Sequence, residues 1–161
     1  MFQIRAAFSE QLELETTVER AREFFGDVKN FVELMPNVEQ ITTEAGGIVR
    51  WLIRTEVPVI GSIRQAFAVA EAPPSPDRIE WSPAAGEKKN LLRYTAWFEN
   101  LGTRTRVRIE QRVELRRASP RELHMLAGLA GESRLSAAMQ QGISEMMRVF
   151  LQRAKARLEK A

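Results

Sequence analysis

Few side chains in this sequence of 161 residues are equipped for covalent or proton-transfer chemistry. There is one histidine, His124, and there are no cysteines. Disulfides, thiolate metal sites and cysteine nucleophiles are therefore excluded. His124 lies in Arg121-Glu122-Leu123-His124-Met125-Leu126. It is either a general base over a cavity mouth or, as we favour, an exposed histidine beside Glu122. The acidic residues are spread as neighbours of arginine instead of clustering at ligand spacing, so no metal site is expected. Gly46-Gly47, Gly61, Gly86 and Gly102 fall at hairpin positions, and no phosphate-cradling glycine motif is present. We assign no catalytic residue and expect no cofactor.

Two amides are more informative. From Thr105 to Leu115 residues alternate apolar and polar for eleven positions, with Gln111 the one polar member of the inward set. Gln65 similarly shares a parity with Ile63, Phe67 and Val69. A buried amide without a partner costs about 1–3 kcal/mol. Either the two bond each other and bound water, or they present a donor and an acceptor to a ligand. Trp51, Ile53, Thr55, Phe67, Trp81, Tyr94 and Phe98 lie on parities that point the same way. Met139 and Met146, with Gly142 between them, would supply a flexible opposing wall. These nine residues with Gln65 and Gln111 are the candidate lining of a small-molecule site, mostly apolar with a few polar groups. The competing reading is a packed core with one polar pair. Trp97 points outward if Phe98 points in, unless a bulge exchanges them.

The elements that must position these residues are legible from period. Gln3 to Glu15 alternates as a first strand, with Ile4, Ala6, Phe8, Leu12 and Leu14 inward and Glu10 out of pattern. Thr16 or Thr17 caps a helix that buries Val18, Ala21, Phe24 and Phe25. Asn30 is expected to cap a second short helix, stopped at Pro36. Strands then follow from Val38, turning at Gly46-Gly47, at Pro58 to Gly61, and after Trp81; Pro73-Pro74-Ser75-Pro76-Asp77 is a rigid connector, too short for an interdomain linker. Ser119-Pro120-Arg121-Glu122 is a capping box with proline at the first helical position, predicting a helix from Pro120 that loosens near Gly128 to Gly131. A long helix from about Ser133 to Glu159 carries Leu135, Met139, Ile143, Met146, Phe150, Ala154 and Leu158 on one stripe.

Length fits one domain, residues 1–161. Hydrophobic residues make up 44% and charged residues 28%, ordinary for a globular protein. The sequence pI near 9.7 suggests nucleic acid, but the formal net charge is only +3. Most of the basic residues are arginines, which stay protonated far above neutral pH and raise the pI. Arg104, Arg106, Arg108, Arg112 and Arg116 stripe one strand face, yet Glu110 and Glu114 share it and no aromatic platform interleaves. We read an outer sheet face with cross-strand ion pairs, not a nucleic-acid surface. No apolar run reaches the roughly 18 residues needed to span a bilayer, so stable membrane insertion is not expected. Met1 to Arg5 lacks the pattern of a signal peptide, and the expectation is a cytoplasmic, bacterial protein.

The order strand, two helices, six strands and a long helix resembles the START-like, helix-grip superfamily, also called SRPBCC. The residues that carry the likeness are the helix pair from Val18 to Pro36, Val38-Glu39-Gln40-Ile41 directly after it, and the hairpin from Phe98 to Val107. The resemblance implies an α+β fold in which a curved antiparallel sheet of about seven strands grips the C-terminal helix and encloses an apolar cavity. It implies no single reaction, because carriers, polyketide cyclases and co-chaperones share the scaffold. The stretch from Glu122 to Ser133 is longer than the usual link into the last helix, as a lid or a surface contact would be.

Three functions fit. The leading one is binding or transport of a hydrophobic small molecule that is lipid-, quinone- or polyketide-like. The second is a polyketide cyclase or dehydratase using Tyr94, His124 or Glu10. The third is a non-catalytic interaction domain with a protein partner on the surface of Glu122 to Ser136. The scarcity of titratable groups on inward parities favours binding.

Overall fold

The computed structural model describes residues 1–57, 60–73 and 75–160. Pro58 and Pro74, expected in a turn and in the connector, lie outside the described residues. Alternation builds β1 (Phe2–Leu14), which buries Phe2, Ile4, Ala6, Phe8 and Leu14 and exposes Arg5, Ala7 and Ser9, with the break at Glu10, which is exposed as well. Helices α1 (Val18–Gly26) and α2 (Val28–Leu34) follow. The Thr17 hydroxyl accepts from the Arg20 N–H at 3.2 Å and starts α1. The cap of α2 is Asp27, not Asn30: its carboxylate accepts from the Lys29 N–H at 2.9 Å. Asp27 ends one helix and begins the next, which leaves Asn30 inside α2. There its side-chain amide donates to the Phe24 carbonyl at 3.0 Å and ties the two helices together.

Strands β2 (Val38–Thr43), β3 (Ile48–Val57), β4 (Gly61–Glu71), β5 (Arg78–Pro83), β6 (Asn90–Asn100) and β7 (Thr105–Arg117) complete one curved sheet in the order β1-β7-β6-β5-β4-β3-β2. Every neighbouring pair is antiparallel. β7 pairs with β1 along its whole length, from Phe2 opposite Arg117 to Leu14 opposite Thr105. The C-terminal helix α3 (Ala127–Leu158) lies in the concavity and buries the expected stripe, widened by Met147 and Leu151. Full burial of each such apolar side chain contributes roughly 1.5–3 kcal/mol. This is the helix-grip arrangement anticipated from the order of elements.

The link into α3 differs from expectation. The capping box forms, with the Glu122 carboxylate accepting from the Ser119 N–H at 3.1 Å. It secures only a single 3-10 turn, Pro120–Glu122, and α3 begins at Ala127. Gly131, at φ 80° and ψ 161°, interrupts the helix, because that backbone region is essentially closed to residues with a Cβ.

On the outer face, Arg106 meets Glu13 and Glu99, and Glu114 meets Arg5 and Arg116, at 3.0–3.3 Å. Such exposed pairs contribute a few tenths of a kcal/mol each. Trp97 is on this face as well, with the Arg108 guanidinium 4.1 Å from its ring centroid. Among the described residues no helix is long and apolar enough to cross a membrane.

Candidate functional site

The interior of the sheet has two unlike ends. At one end α1 and α2 insert Phe24, Phe25 and Phe31 between the sheet and Phe150 of α3. Phe31 packs at 5.1 Å from Trp51, 5.2 Å from Tyr94 and 5.7 Å from Phe150, centroid to centroid. Phe25 lies 6.1 Å from Phe98 and 5.9 Å from Phe150. The tilted and edge-on geometries are those aromatic pairs prefer, and they close this end.

At the other end a pocket remains, and among the described residues no aromatic side chain from the helices lines it. Its walls are Ile4 of β1, Ile53, Thr55 and Val57 of β3, Ile63, Gln65 and Phe67 of β4, and Val113 and Leu115 of β7. Leu123 closes it from the link, and Leu135, Met139 and Ile143 close it from α3. The space open to the centre of a water molecule is about 20 Å³, room for one or two waters. Val57 also borders an open groove between β3 and α3 that contains Leu129, Ala138 and Gly142. A Cβ on Gly142 would sit 3.8 Å from the Thr55 methyl, so the glycine thins the wall there.

Of the eleven candidate residues, the structure brings Ile53, Thr55, Gln65, Phe67 and Met139 together around this pocket. Trp51, Tyr94 and Phe98 belong to the aromatic end, and Met146 is buried outside the pocket lining. Trp81 is buried in β5, beside a shallow surface hollow next to α1. Gln111 is fully buried, and neither atom of its amide has a hydrogen-bond partner among the described residues. No bond joins it to Gln65 or to Tyr94, its cross-strand neighbour.

The polar partners of Gln65 lie elsewhere. Its Oε1 accepts from Asn90 Nδ2 at 3.1 Å and from Arg117 Nη2 at 3.0 Å. Arg117 also donates to Asn90 Oδ1 at 2.7 Å and, through Nη1, to the carbonyls of Lys89 and Arg116 at 3.1 and 2.8 Å. Burial lowers the guanidinium pKa from its ordinary value, with the more distant Glu122 and Glu87 acting in opposition. Asn90 and Arg117 are functional candidates that sequence reasoning missed, although the signal was there. Arg117 continues the inward parity of β7 beyond Leu115, and Asn90 begins the inward parity of β6. Leu123 had no periodic signal at all.

The residues considered for proton transfer do not line the pocket. Complete burial pushes the Tyr94 phenol far above its ordinary pKa, and its hydroxyl donates to the Phe25 carbonyl at 3.4 Å. His124 Nδ1 accepts from the Leu126 N–H at 3.1 Å, and Glu10 is exposed on β1.

The sequence matches no family model and no curated protein. Solved structures of similar fold exist over nearly the whole chain. The di-domain ARO/CYC BexL from the BE-7585A biosynthetic pathway superposes with a TM-score of 0.66 at 17% identity, over 98% of this chain and 51% of that one. This chain thus spans about half of that protein. The Zhui aromatase/cyclase from Streptomyces sp. R1128 gives 0.59 at 13% identity, covering 92% and 93% of the two chains. A START superfamily protein from Mycobacterium smegmatis gives 0.51 at 16% identity, covering 88% and 97%. At these identities the likeness is one of fold: this chain shares the helix-grip architecture of those structures.

Proposed function

We propose that this protein binds and carries a hydrophobic small molecule, lipid-, quinone- or polyketide-like, in the open end of its helix-grip cavity. The observation that carries the reading is the contrast between the two ends of one interior. Seven aromatic rings fill the first. The second is walled mainly by aliphatic side chains from β1, β3, β4, β7, the link and α3, with Phe67 its one aromatic ring and Thr55 and Gln65 its polar members among the described residues. An apolar pocket with few polar groups suits an apolar guest.

A ligand of that size needs more than 20 Å³, so entry must displace part of the lining. The walls that can yield are of the right kind. Leu123 comes from the irregular link before α3, and Met139 is unbranched and adapts its shape at little cost. The absence of His, Tyr or carboxylate side chains from the described lining favours carriage over the cyclase reading.

Native mass spectrometry of freshly purified protein, followed by titration with quinones, sterols and fatty acids, tests the proposal. Binding to the folded state alone raises the melting temperature, and Trp51, opposite the pocket residue Phe67, reports through its emission. If no compound co-purifies and none shifts either signal, the carrier reading fails and the interaction-domain reading gains.

A further inference from the structure

Gln65 lines the pocket, and behind it Asn90 and Arg117 both donate to its side-chain oxygen. All three stand on inward parities, at the end of β7, at the start of β6 and within β4. The outward arginines of β7 illustrate the contrast. Arg106, Arg112 and Arg116 each pair with a glutamate, while Arg108 lies over the Trp97 ring. Arg117, half-buried, makes no ion pair among the described residues, and its four terminal N–H groups are met by neutral oxygens alone. A partly desolvated cation whose hydrogen-bond partners are all neutral, with Glu122 and Glu87 acting only from further away, is less fully compensated than the arginines paired directly with a carboxylate.

The orientation of the Gln65 amide follows from the same arrangement. Arginine has no acceptor, so the Gln65 atom facing it must be the oxygen. That oxygen accepts from both Arg117 and Asn90. The Gln65 NH2 group is then left without a protein partner among the described residues, on a side chain that lines the pocket. Donation from a guanidinium into the amide oxygen polarises the amide and strengthens its N–H groups as donors. This end of the pocket therefore offers donors with positive charge behind them, and among the described residues its lining holds no carboxylate to receive a cation.

We propose that the carried molecule is an amphiphile whose acidic oxygen head, a carboxylate or an ionised enol, is received by Gln65 with Arg117 behind it. This rests on the carrier reading and adds the ligand's polarity and its direction in the cavity. The head lies toward Leu115 and Leu123, and the apolar body runs between Phe67 and α3.

The test compares dodecanoate with 1-dodecanol, matched in chain length and unlike in head. Affinities are measured by titration calorimetry at neutral pH for the native protein and for Arg117→Met and Arg117→Lys. Charge-assisted hydrogen bonds imply a preference for the acid of about ten-fold or more in the native protein. Arg117→Met should bring dodecanoate down to the alcohol's affinity while alcohol binding changes little, and Arg117→Lys should keep part of the preference. If Arg117→Met does not fold by circular dichroism, Gln65→Leu makes the same comparison with the arginine in place. Equal binding of acid and alcohol by the native protein overturns the proposal and leaves the carrier reading standing. A preference that survives both Arg117→Met and Gln65→Leu also overturns it. Binding of neither compound removes the carrier reading for such chains, and this inference falls with it.

Discussion

Gln140 of α3 and Ala7 of β1 are joined by two hydrogen bonds in opposite directions. The glutamine Oε1 accepts from the Ala7 N–H at 2.9 Å, and its Nε2 donates to the Ala7 carbonyl at 2.7 Å. The side-chain amide thus does for the edge strand what a neighbouring strand's backbone would do. Glu132 and Ser136 continue the row, accepting from the N–H groups of Gln3 and Arg5 at 2.8 and 3.2 Å. The match is geometric: four helical residues advance about 6.0 Å, and two strand residues about 6.6–6.8 Å. A helix lying along β1 covers an edge that would otherwise invite pairing with another chain.

Gln140→Ala should therefore destabilise the fold by about 1–2 kcal/mol, since it removes two hydrogen bonds from the strand edge. Urea denaturation gives the number, and size-exclusion chromatography shows whether the uncovered edge now associates. Unchanged stability would mean the pairing contributes nothing in solution.

Gln111→Leu should act in the other direction. The amide is fully buried among Ile109, Val113 and Tyr94 with both polar atoms unsatisfied among the described residues. Replacing it with an apolar residue relieves about 1–3 kcal/mol, a rise in melting temperature of roughly 2–4 °C per kcal/mol. Because Gln111 is not in the pocket lining, binding of an apolar probe should be unaffected. A loss of stability would reveal a buried water or ligand holding the amide.

Two glycines of α3 should respond oppositely to the same change. Gly131→Ala forces a Cβ onto a backbone at φ 80° and should cost about 1–3 kcal/mol. Gly142 has no such backbone, and the added methyl meets the Thr55 methyl at 3.8 Å, an ordinary contact. Gly142→Ala should gain about 0.5–1 kcal/mol from helix propensity. Thermal melts of both variants decide it. Equal effects would show that the break at Gly131 is not a strained feature of the native chain.

Much of the fold was readable because strands and helices announce themselves by period, and parity says which side chains share a face. The stripe from Leu135 to Leu158, the inward set of β7 and the outward arginine–glutamate face all follow from short-range pattern. Local pattern also put Gln65, Phe67, Ile53, Thr55 and Met139 on the interior, where the pocket is. It could not say which end of the interior stays open. That depends on where Phe24, Phe25 and Phe31 land, and helix amphipathicity requires only that they be buried, not that they meet Trp51, Tyr94 and Phe98. Nor could it join Gln65 to Asn90 and Arg117, which are 25 and 52 positions away along the chain. Strand order and register bring those three together. Those long-range pairings set an inward-facing arginine at the end of a strand against a glutamine that lines the pocket.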